Sequence, residues 1–232
     1  MDKDTVPKHI AFIMDGNGRW AKARHMPRKY GHKNGVDAMK RVICACARMG
    51  IEIISIYAFS TENWTRPQDE IDELFNLVKR FADKELTQYA SDNYRVRFMG
   101  DLSALPQDVQ NSLDKITAAV KDNSGPIINI GLNYGARDEI VRAVNSLIDG
   151  GAKAVSASDI AAKLDTRDMC DPDVIVRSAG EKRLSNFMLW QAAYSEFIFI
   201  DDYWPDFTEE TVERIVREYN GRERRYGGLK KA

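Results

Sequence analysis

Six short apolar, strand-like runs punctuate the chain, at 9–14, 52–60, 94–100, 126–133, 173–177 and 196–200. The first does not alternate, and since a strand with one wet face alternates, it reads as a strand covered on both faces. Between them the apolar spacing changes to three and four. Val36, Met39, Ile43, Cys46 and Met49 keep that spacing, as do Ile71, Leu74, Phe75, Val78 and Phe81, then Ile140, Val144 and Leu147. Strands alternating with helices predict right-handed crossovers and a mostly parallel central sheet of about six strands flanked by helices. There is no internal repeat, low-complexity tract or proline-rich linker, so residues 1–232 read as a single α/β domain, with Gly150-Gly151-Ala152 the one candidate for a flexible loop. In such sheets ligands sit beyond the carboxyl ends of the strands, which directs attention to the residues after each run.

Composition narrows the partners. At 232 residues, 44% hydrophobic and 30% charged, the chain can bury one sizeable core. Its 34 basic and 35 acidic residues give a net charge of −1, so no general nucleic-acid surface is expected and any anion site must be local. Cys44, Cys46 and Cys170 form no CxxC pair, and the first residues, Met1-Asp2-Lys3-Asp4, carry no apolar signal region, which reads as a cytosolic protein with reduced thiols. Cys44 and Cys46 fall in a helical run and read as small core residues. No stretch reaches transmembrane length, so membrane contact is expected to be peripheral.

The first run ends in Met14-Asp15-Gly16-Asn17-Gly18-Arg19-Trp20. Gly16 and Gly18 remove side chains where backbone N–H groups must approach an anion, Asp15 can ligate a divalent ion, and Arg19 opens a predicted helix. The competing reading is a tight turn with solvent-facing charges. After the second run, Ser60, Thr61, Glu62, Asn63, Trp64 and Arg66 supply hydroxyls, carboxylate, amide, aromatic and cation. After the fifth, Arg177, Lys182 and Arg183 read as a diphosphate clamp, followed by Ser185, which can cap a following helix. Glu196 enters the sixth run, and Trp204-Pro205-Asp206-Phe207 follows it. There is no Walker sequence, and Gly16-Asn17-Gly18 lacks the third glycine of the dinucleotide fingerprint, so no motif supports nucleotide binding.

Taken in order, MDGNGRWAK at 14–22, GHKNG at 31–35, YAFSTENWTRP at 57–67, NYGARDEI at 133–140, RSAGEKRLSNFMLWQAAYSE at 177–196 and WPDF at 204–207 resemble the cis-prenyltransferase family, specifically its bacterial undecaprenyl diphosphate synthase branch, over nearly the whole chain. The resemblance implies a homodimeric, Mg2+-dependent enzyme with an apolar tunnel between the sheet and two helices. It would condense isopentenyl diphosphate onto an allylic diphosphate, usually farnesyl diphosphate, to give a long-chain polyprenyl diphosphate, in this branch the undecaprenyl carrier of cell-wall synthesis. The cytosol is the expected location, with contact to the inner face of the membrane through the product. A shorter-chain cis-prenyl diphosphate synthase and a non-catalytic partner subunit are the alternatives. The latter would be expected to have lost Asp15 or the diphosphate arginines, and both are present.

Residue by residue, the resemblance makes Asp15 a catalytic residue and metal ligand. Gly16, Asn17, Gly18, Arg19 and Trp20 form the allylic diphosphate cradle with it, completed by Arg28 and His32. Arg177, Arg183, Leu184 and Ser185 would hold isopentenyl diphosphate, with Glu196 as a further metal ligand. Ser60, Thr61, Glu62, Asn63, Trp64 and Arg66 would position the reacting groups. Asn63 is the family's suggested participant in proton removal. A neutral amide is a poor base, so orienting a water or a phosphate oxygen is its alternative role. Ile54, Ala58, Leu74, Phe75, Val78 and Phe81 are expected on the tunnel wall, core packing being the competing meaning of each. Arg225-Tyr226-Gly227 matches an RxG element that reaches across the dimer. Four positions depart from the family pattern: Lys182 stands for a histidine, Ser178-Ala179 for a Thr-Ser or Thr-Gly pair, Ala136 for a glycine, and Pro126 for a leucine at the tunnel floor, which bears on chain length.

Overall fold

Three helices begin directly after a proline: α2 (Arg28–Arg48), α3 (Gln68–Ser91) and α4 (Gln107–Ala119) follow Pro27, Pro67 and Pro106, whose φ angles are −56°, −53° and −55°. The pyrrolidine ring presets that angle, and its missing N–H is no loss where a helix has yet to form its ladder. The computed structural model describes residues 6–222, the side chains of 86 and 87 excepted. Its strands are β1 (His9–Ile13), β2 (Ile53–Ser60), β3 (Arg95–Met99), β4 (Ile127–Tyr134), β5 (Val174–Arg177) and β6 (Glu196–Phe199). All pairings are parallel, in the order β3-β4-β2-β1-β5-β6. Each predicted run has become one strand. The remaining helices are α1 (Asn17–Ala23), α5 (Ala136–Asp149), α6 (Ala157–Ala161) and α7 (Glu209–Asn220). Val109, Leu113 and Ile116 also keep helical spacing, and they bury one side of α4, a helix not predicted above.

Alternation along the strands divides the core. Ile10, Phe12, Ile54, Ile56, Ile128 and Ile130 pack with residues of α2, α3, α4 and α7, whereas Ala11, Ile13, Tyr57, Met99, Tyr134 and Ile175 pack with Phe187, Met188 and Ala192 on the opposite side. One sequence reading needs correction. Cys46 is fully buried but Cys44 is exposed, because the two lie about 200° apart around α2. Gly150, the C-cap of α5, and Gly151, at φ 90°, open the loop that leads to α6.

Candidate active site

The strand order places the site. The chain leaves β1 toward β2 on one side and returns after β4 to lay β5 on the other, so β1 and β5 flank the point where the sheet's order reverses. That crevice is where open α/β sheets bind ligands. Ile13 pairs with Arg177 across it, and Asp15 lies just beyond. The buried Arg177 donates Nη2 to Asp15 Oδ2 at 2.8 Å, and Nη1 to Ser185 Oγ at 2.8 Å and the Arg183 carbonyl at 2.5 Å. Asp15 Oδ1 accepts from the Gly16 N–H at 2.6 Å and Arg19 Nη2 at 3.2 Å. Burial alone would raise the Asp15 carboxyl, but the hydrogen bond and charge of Arg177, with Gly16 and Arg19, hold it below the usual carboxylate range. Asp15 is therefore ionised at neutral pH. Ser178 fixes its backbone on both sides: the hydroxyl accepts from the Asp15 N–H and donates to the Asp15 carbonyl, each at 2.8 Å.

Gly16 caps α1 at φ 92°, where a Cβ would lie 2.6 Å from Tyr203 Cδ1 and 2.8 Å from Ala179 Cβ. The first N–H groups of α1 have no acceptor within the helix, and Gly16, Asn17, Gly18 and Arg19 line the cavity beside Asp15. Asn17 is held by α2, since a Cβ on Gly31 would overlap its carbonyl oxygen and one on Gly35 would come within 2.5 Å of its Oδ1. Trp20 does not join the cradle. Its ring is buried, Nε1 donates to Asp206 Oδ1 at 2.7 Å, and the Arg24 guanidinium lies 4.2 Å over its face, so it fastens α1 to the segment after β6.

Glu70, absent from the sequence reading, organises the next side of the pocket. Its Oε1 lies 3.2 Å from Arg28 Nη2, 3.0 Å from Arg66 Nη1 and 3.5 Å from His32 Nε2. Burial outweighs the attraction of Glu70 and moves the His32 pKa down to about 4, so the imidazole is neutral at pH 7. The only sequence signal for Glu70 was its i,i+4 relation to Arg66.

A bulge sets the third side. Tyr57 pairs with Gly131 and Phe59 with Leu132, so Ala58 is the extra residue and Tyr57, Ala58, Phe59 and Ser60 all line one cavity. The Asn63 Oδ1 accepts from the Ser60 N–H at 3.1 Å, which fixes the amide and presents its Nδ2 as a donor. Thr61, Glu62 and Trp64 lie outside the cavity lining. Trp64 donates Nε1 to Asn133 Oδ1 at 2.8 Å and packs on Phe59 and Phe75. Glu62 Oε1 accepts from Asn186 Nδ2 at 3.0 Å. Asn186, at φ 62°, also gives its carbonyl to the Ala136 N–H at 2.8 Å and its Oδ1 to the Arg137 N–H at 3.0 Å. One side chain thus ties the 61–66 turn, the start of α5 and the Arg183–Ser185 segment together. Ser185 caps no helix: it sits at φ 49° with its hydroxyl on Arg177, and the next regular turn begins at Gln191.

Asp15, Gly16, Asn17, Gly18, Arg19, Arg28, His32, Ser60, Asn63, Arg66, Arg177, Arg183 and Ser185 all line one cavity of about 1040 Å³. Below this charged rim it is apolar, running between the sheet and α2 and α3 past Val36, Met39, Ala58, Leu74, Phe75, Val78 and Phe81 to Phe98 and Ile130. Phe81 lies about 20 Å along α3 from Gln68, at 1.5 Å per residue. Ile54, expected on this wall, packs in the core without reaching the cavity. Pro126 is not its floor either: it stands four strand residues, about 13 Å, before Ile130 and lines a separate shallow depression with Gly50 and Arg95. Lys182 and Leu184 also stay out of the lining; Leu184 packs on the opposite core, and Arg183 pairs instead with Glu181. Glu196 enters β6 opposite Val174, far from the carboxyl ends, and pairs with Arg222 at 2.9 Å. Arg225 lies outside the described residues.

Among the described residues no three His, Cys, Asp or Glu side chains gather as a metal cluster. One ionised carboxylate at the cavity rim suits Mg2+, which is commonly held by one or two carboxylates plus substrate phosphates and water.

Cations and backbone donors at the rim of a deep apolar cavity define an enzyme for ligands with a phosphorylated head and a hydrocarbon tail. Comparison with known proteins names it further. The family described as "Putative undecaprenyl diphosphate synthase" matches residues 13–227. An isoprenyl transferase of Clostridium perfringens is 45% identical, over 98% of this chain and 92% of the relative. A ditrans,polycis-undecaprenyl-diphosphate synthase ((2E,6E)-farnesyl-diphosphate specific) of Lactiplantibacillus plantarum is 43% identical over 99% and 92%. Among solved structures, lavandulyl diphosphate synthase of Lavandula x intermedia in complex with dimethylallyl diphosphate superposes with a TM-score of 0.93 at 29% identity, covering 97% of this chain and 99% of that one. A probable undecaprenyl diphosphate synthase of Campylobacter jejuni gives 0.82 at 35% identity, covering 95% and 98%. The chain belongs to the undecaprenyl diphosphate synthase family and is a prenyl-transferring enzyme.

Proposed function

We propose that the protein condenses isopentenyl diphosphate repeatedly onto farnesyl diphosphate to give undecaprenyl diphosphate. The observation that carries this reading is the Asp15–Arg177 pair at the sheet's switch point, directly above the apolar cavity. In each cycle the allylic C–O bond breaks, a C–C bond forms to isopentenyl diphosphate, diphosphate departs and one proton leaves the new unit. Fixed donors and cations aimed at the departing oxygens stabilise that charge as it develops. The N–H groups of α1, Arg19 and Arg28 serve the allylic head, and Arg183 and Ser185 serve the second diphosphate. Arg177 acts by orienting Asp15 and Ser185, because both its Nη atoms are engaged. Mg2+ held by Asp15 would add charge neutralisation at the diphosphates. Asn63 presents an N–H donor, so it holds a phosphate oxygen or water in place while another group takes the proton.

A homodimer is part of this reading. Edge strand β6 exposes Phe199 at 38%, stacked on Phe197, which offers an apolar edge to a second copy. Arg222, the last described residue, donates to Glu196 and the Phe197 carbonyl at 2.9 Å each, at that same edge. Among the described residues no helix is long and apolar enough to cross a membrane. The decisive test is incubation with farnesyl diphosphate, labelled isopentenyl diphosphate and Mg2+, followed by product sizing. A ladder ending near eleven isoprene units is expected, and absence of label in any prenyl product would overturn the proposal.

A further inference from the structure

The hydrocarbon built in this cavity must leave it, and the exit dictates what surface should lie beside the mouth. Behind Phe81, Tyr89 packs edge-on at 5.7 Å and Tyr94 packs edge-on against Tyr89 at 5.2 Å, so an aromatic plug closes the deep end. A long product therefore leaves through the charged rim, head first. Its tail cannot cross open water, because the transfer penalty grows with every methylene.

One lip of that rim, the connection from α1 into α2, suits a lipid surface. Residues 22–30 are exposed without interruption, and Met26 at 44% and Tyr30 at 45% are among the exposed large apolar side chains. No Asp or Glu occurs between Asp15 and Asp37. The arginines of this stretch are engaged, Arg19 with Glu181, Arg24 with Asp206 and Arg28 with Glu70, whereas Lys22, Lys29 and Lys33 make no ion pair among the described residues. Lys29 and Lys33 lie one turn apart on α2 with Tyr30 beside them, the Lys29 Nζ 6.0 Å from its ring centre. The facing lip, at the start of α3, carries Asp69, Glu70 and Asp72, which confines a cationic contact to the α1–α2 side.

Resting on the function proposed above, we propose that this lip docks on an anionic bilayer surface. Met26 and Tyr30 enter the interfacial layer, Lys22, Lys29 and Lys33 face the lipid phosphates, and the product passes from the mouth directly into lipid. The contact is peripheral and electrostatic, so it weakens with salt.

The test compares the full chain with a Lys29→Glu, Tyr30→Ser, Lys33→Glu triple variant, none of whose positions lines the cavity. Co-sedimentation is measured with phosphatidylcholine vesicles containing phosphatidylglycerol and with pure phosphatidylcholine vesicles. The wild type should bind the anionic vesicles at least about tenfold more tightly than the neutral ones, and the variant should lose at least about tenfold of that affinity. A Lys29→Gln, Lys33→Gln variant with an unchanged unfolding midpoint should fall between them. Equal binding of wild type and triple variant, or equal wild-type binding to both vesicle types, would overturn the docking surface. The first condensation, whose product is short, is followed in the same preparations and should be unchanged. Its absence in both proteins counts against the prenyl-transfer reading, whereas intact condensation with no vesicle binding counts against the docking surface alone.

Discussion

The two faces of the sheet do opposite things with similar strands. The face toward α2 and α3 presents Ile10, Phe12, Ile54, Ile56, Ile128 and Ile130, and it is the face left partly hollow. The other face also carries His9, Ser55 and Asn129 from three adjacent strands, and it is filled. There the His9 Nδ1 lies 2.7 Å from the Cys170 carbonyl and its Nε2 2.8 Å from Ser55 Oγ, which accepts from Asn129 Nδ2 at 3.0 Å. Further along, Tyr134 donates its hydroxyl to the buried Glu139 at 2.6 Å, and Gln191 donates to Glu139 and Thr166. A hollow lined by apolar groups strands no polar atom and forfeits only dispersion contacts. A buried hydrogen-bond network favours one arrangement of the strands that carry it, even though Asn129 Oδ1 and Gln191 Oε1 are left without partners here. The difference teaches that the cavity stays open because the strands are fixed from behind, so substitutions on the two faces should separate activity from stability.

The largest effect is expected at the rim of the hollow face. Asp15→Asn keeps a hydrogen-bond acceptor for the buried Arg177 but removes the negative charge, and turnover at saturating Mg2+ and both substrates should fall by at least ~100-fold with little change in the unfolding midpoint. Near-normal turnover would take Asp15 out of the mechanism. On the filled face the expected signature is stability. Burial moves the His9 pKa from 6.5 to about 4, so over that interval the unfolded chain binds a proton that the folded chain does not. Stability should therefore be intact above pH 6.5 and fall as the pH drops, by about 2 kcal/mol per such histidine between pH 6.5 and 5. Urea titrations of wild type and His9→Gln should show a shallower pH slope in the variant, with His32 supplying a similar share in both. Parallel slopes would remove His9 from the pH dependence.

Asn186 bridges the two regimes. Asn186→Asp retains an acceptor for the Arg137 N–H but sets a carboxylate against Glu62, and activity should drop by about tenfold at pH 7.5, an energy of ~1.4 kcal/mol. Glu62 is held below its usual range despite partial burial, by a backbone hydrogen bond and by Asn186, so relief should come only as the pH falls and the pair shares a proton, raising the variant-to-wild-type ratio. If Asn186 served only to cap α5, aspartate would do as well and the ratio would stay near one. The smallest effect on rate, though not on product, is expected deep in the cavity. Ala58→Leu should shorten the product and Phe81→Ala lengthen it, with the first condensation changed by less than about threefold. Unchanged lengths in both would make these core residues.

What the sequence revealed follows from what spacing can report. A short apolar run bounded by polar segments identifies a strand, so all six were legible, although β4 is buried at every residue and the edge strands β3 and β6 are not. Spacing says nothing about which elements become neighbours. Asp15 and Arg177 were each singled out by the chemistry around them, yet their contact across 162 residues was not readable. Glu70 was missed because two of its three partners, Arg28 and His32, come from another helix, and Asn186 because its function is to join segments rather than face a ligand. Trp20 was misassigned since an aromatic next to a phosphate-type turn looks the same whether it faces the pocket or, as here, Asp206. The bulge at Ala58 left no mark in an otherwise regular run, though it decides that four consecutive residues line the cavity.

The position of β5 has a further consequence for how the chain acquires activity. During synthesis β1 can assemble with β2, β4 and β3 long before residues 174–177 exist, because those strands precede them in the chain. Such an intermediate would contain the α2 and α3 walls of the hollow but neither Arg177 nor Ser178. Asp15 would lack the partners that fix its backbone and depress its acidity. Closing the longest-range strand pairing in the sheet, β1 with β5, is the step that creates the site, and long-range closures are slow. The apolar hollow is thus expected to form first and the chemistry last, so a chain arrested before β5 would present a greasy pocket with no means of turnover.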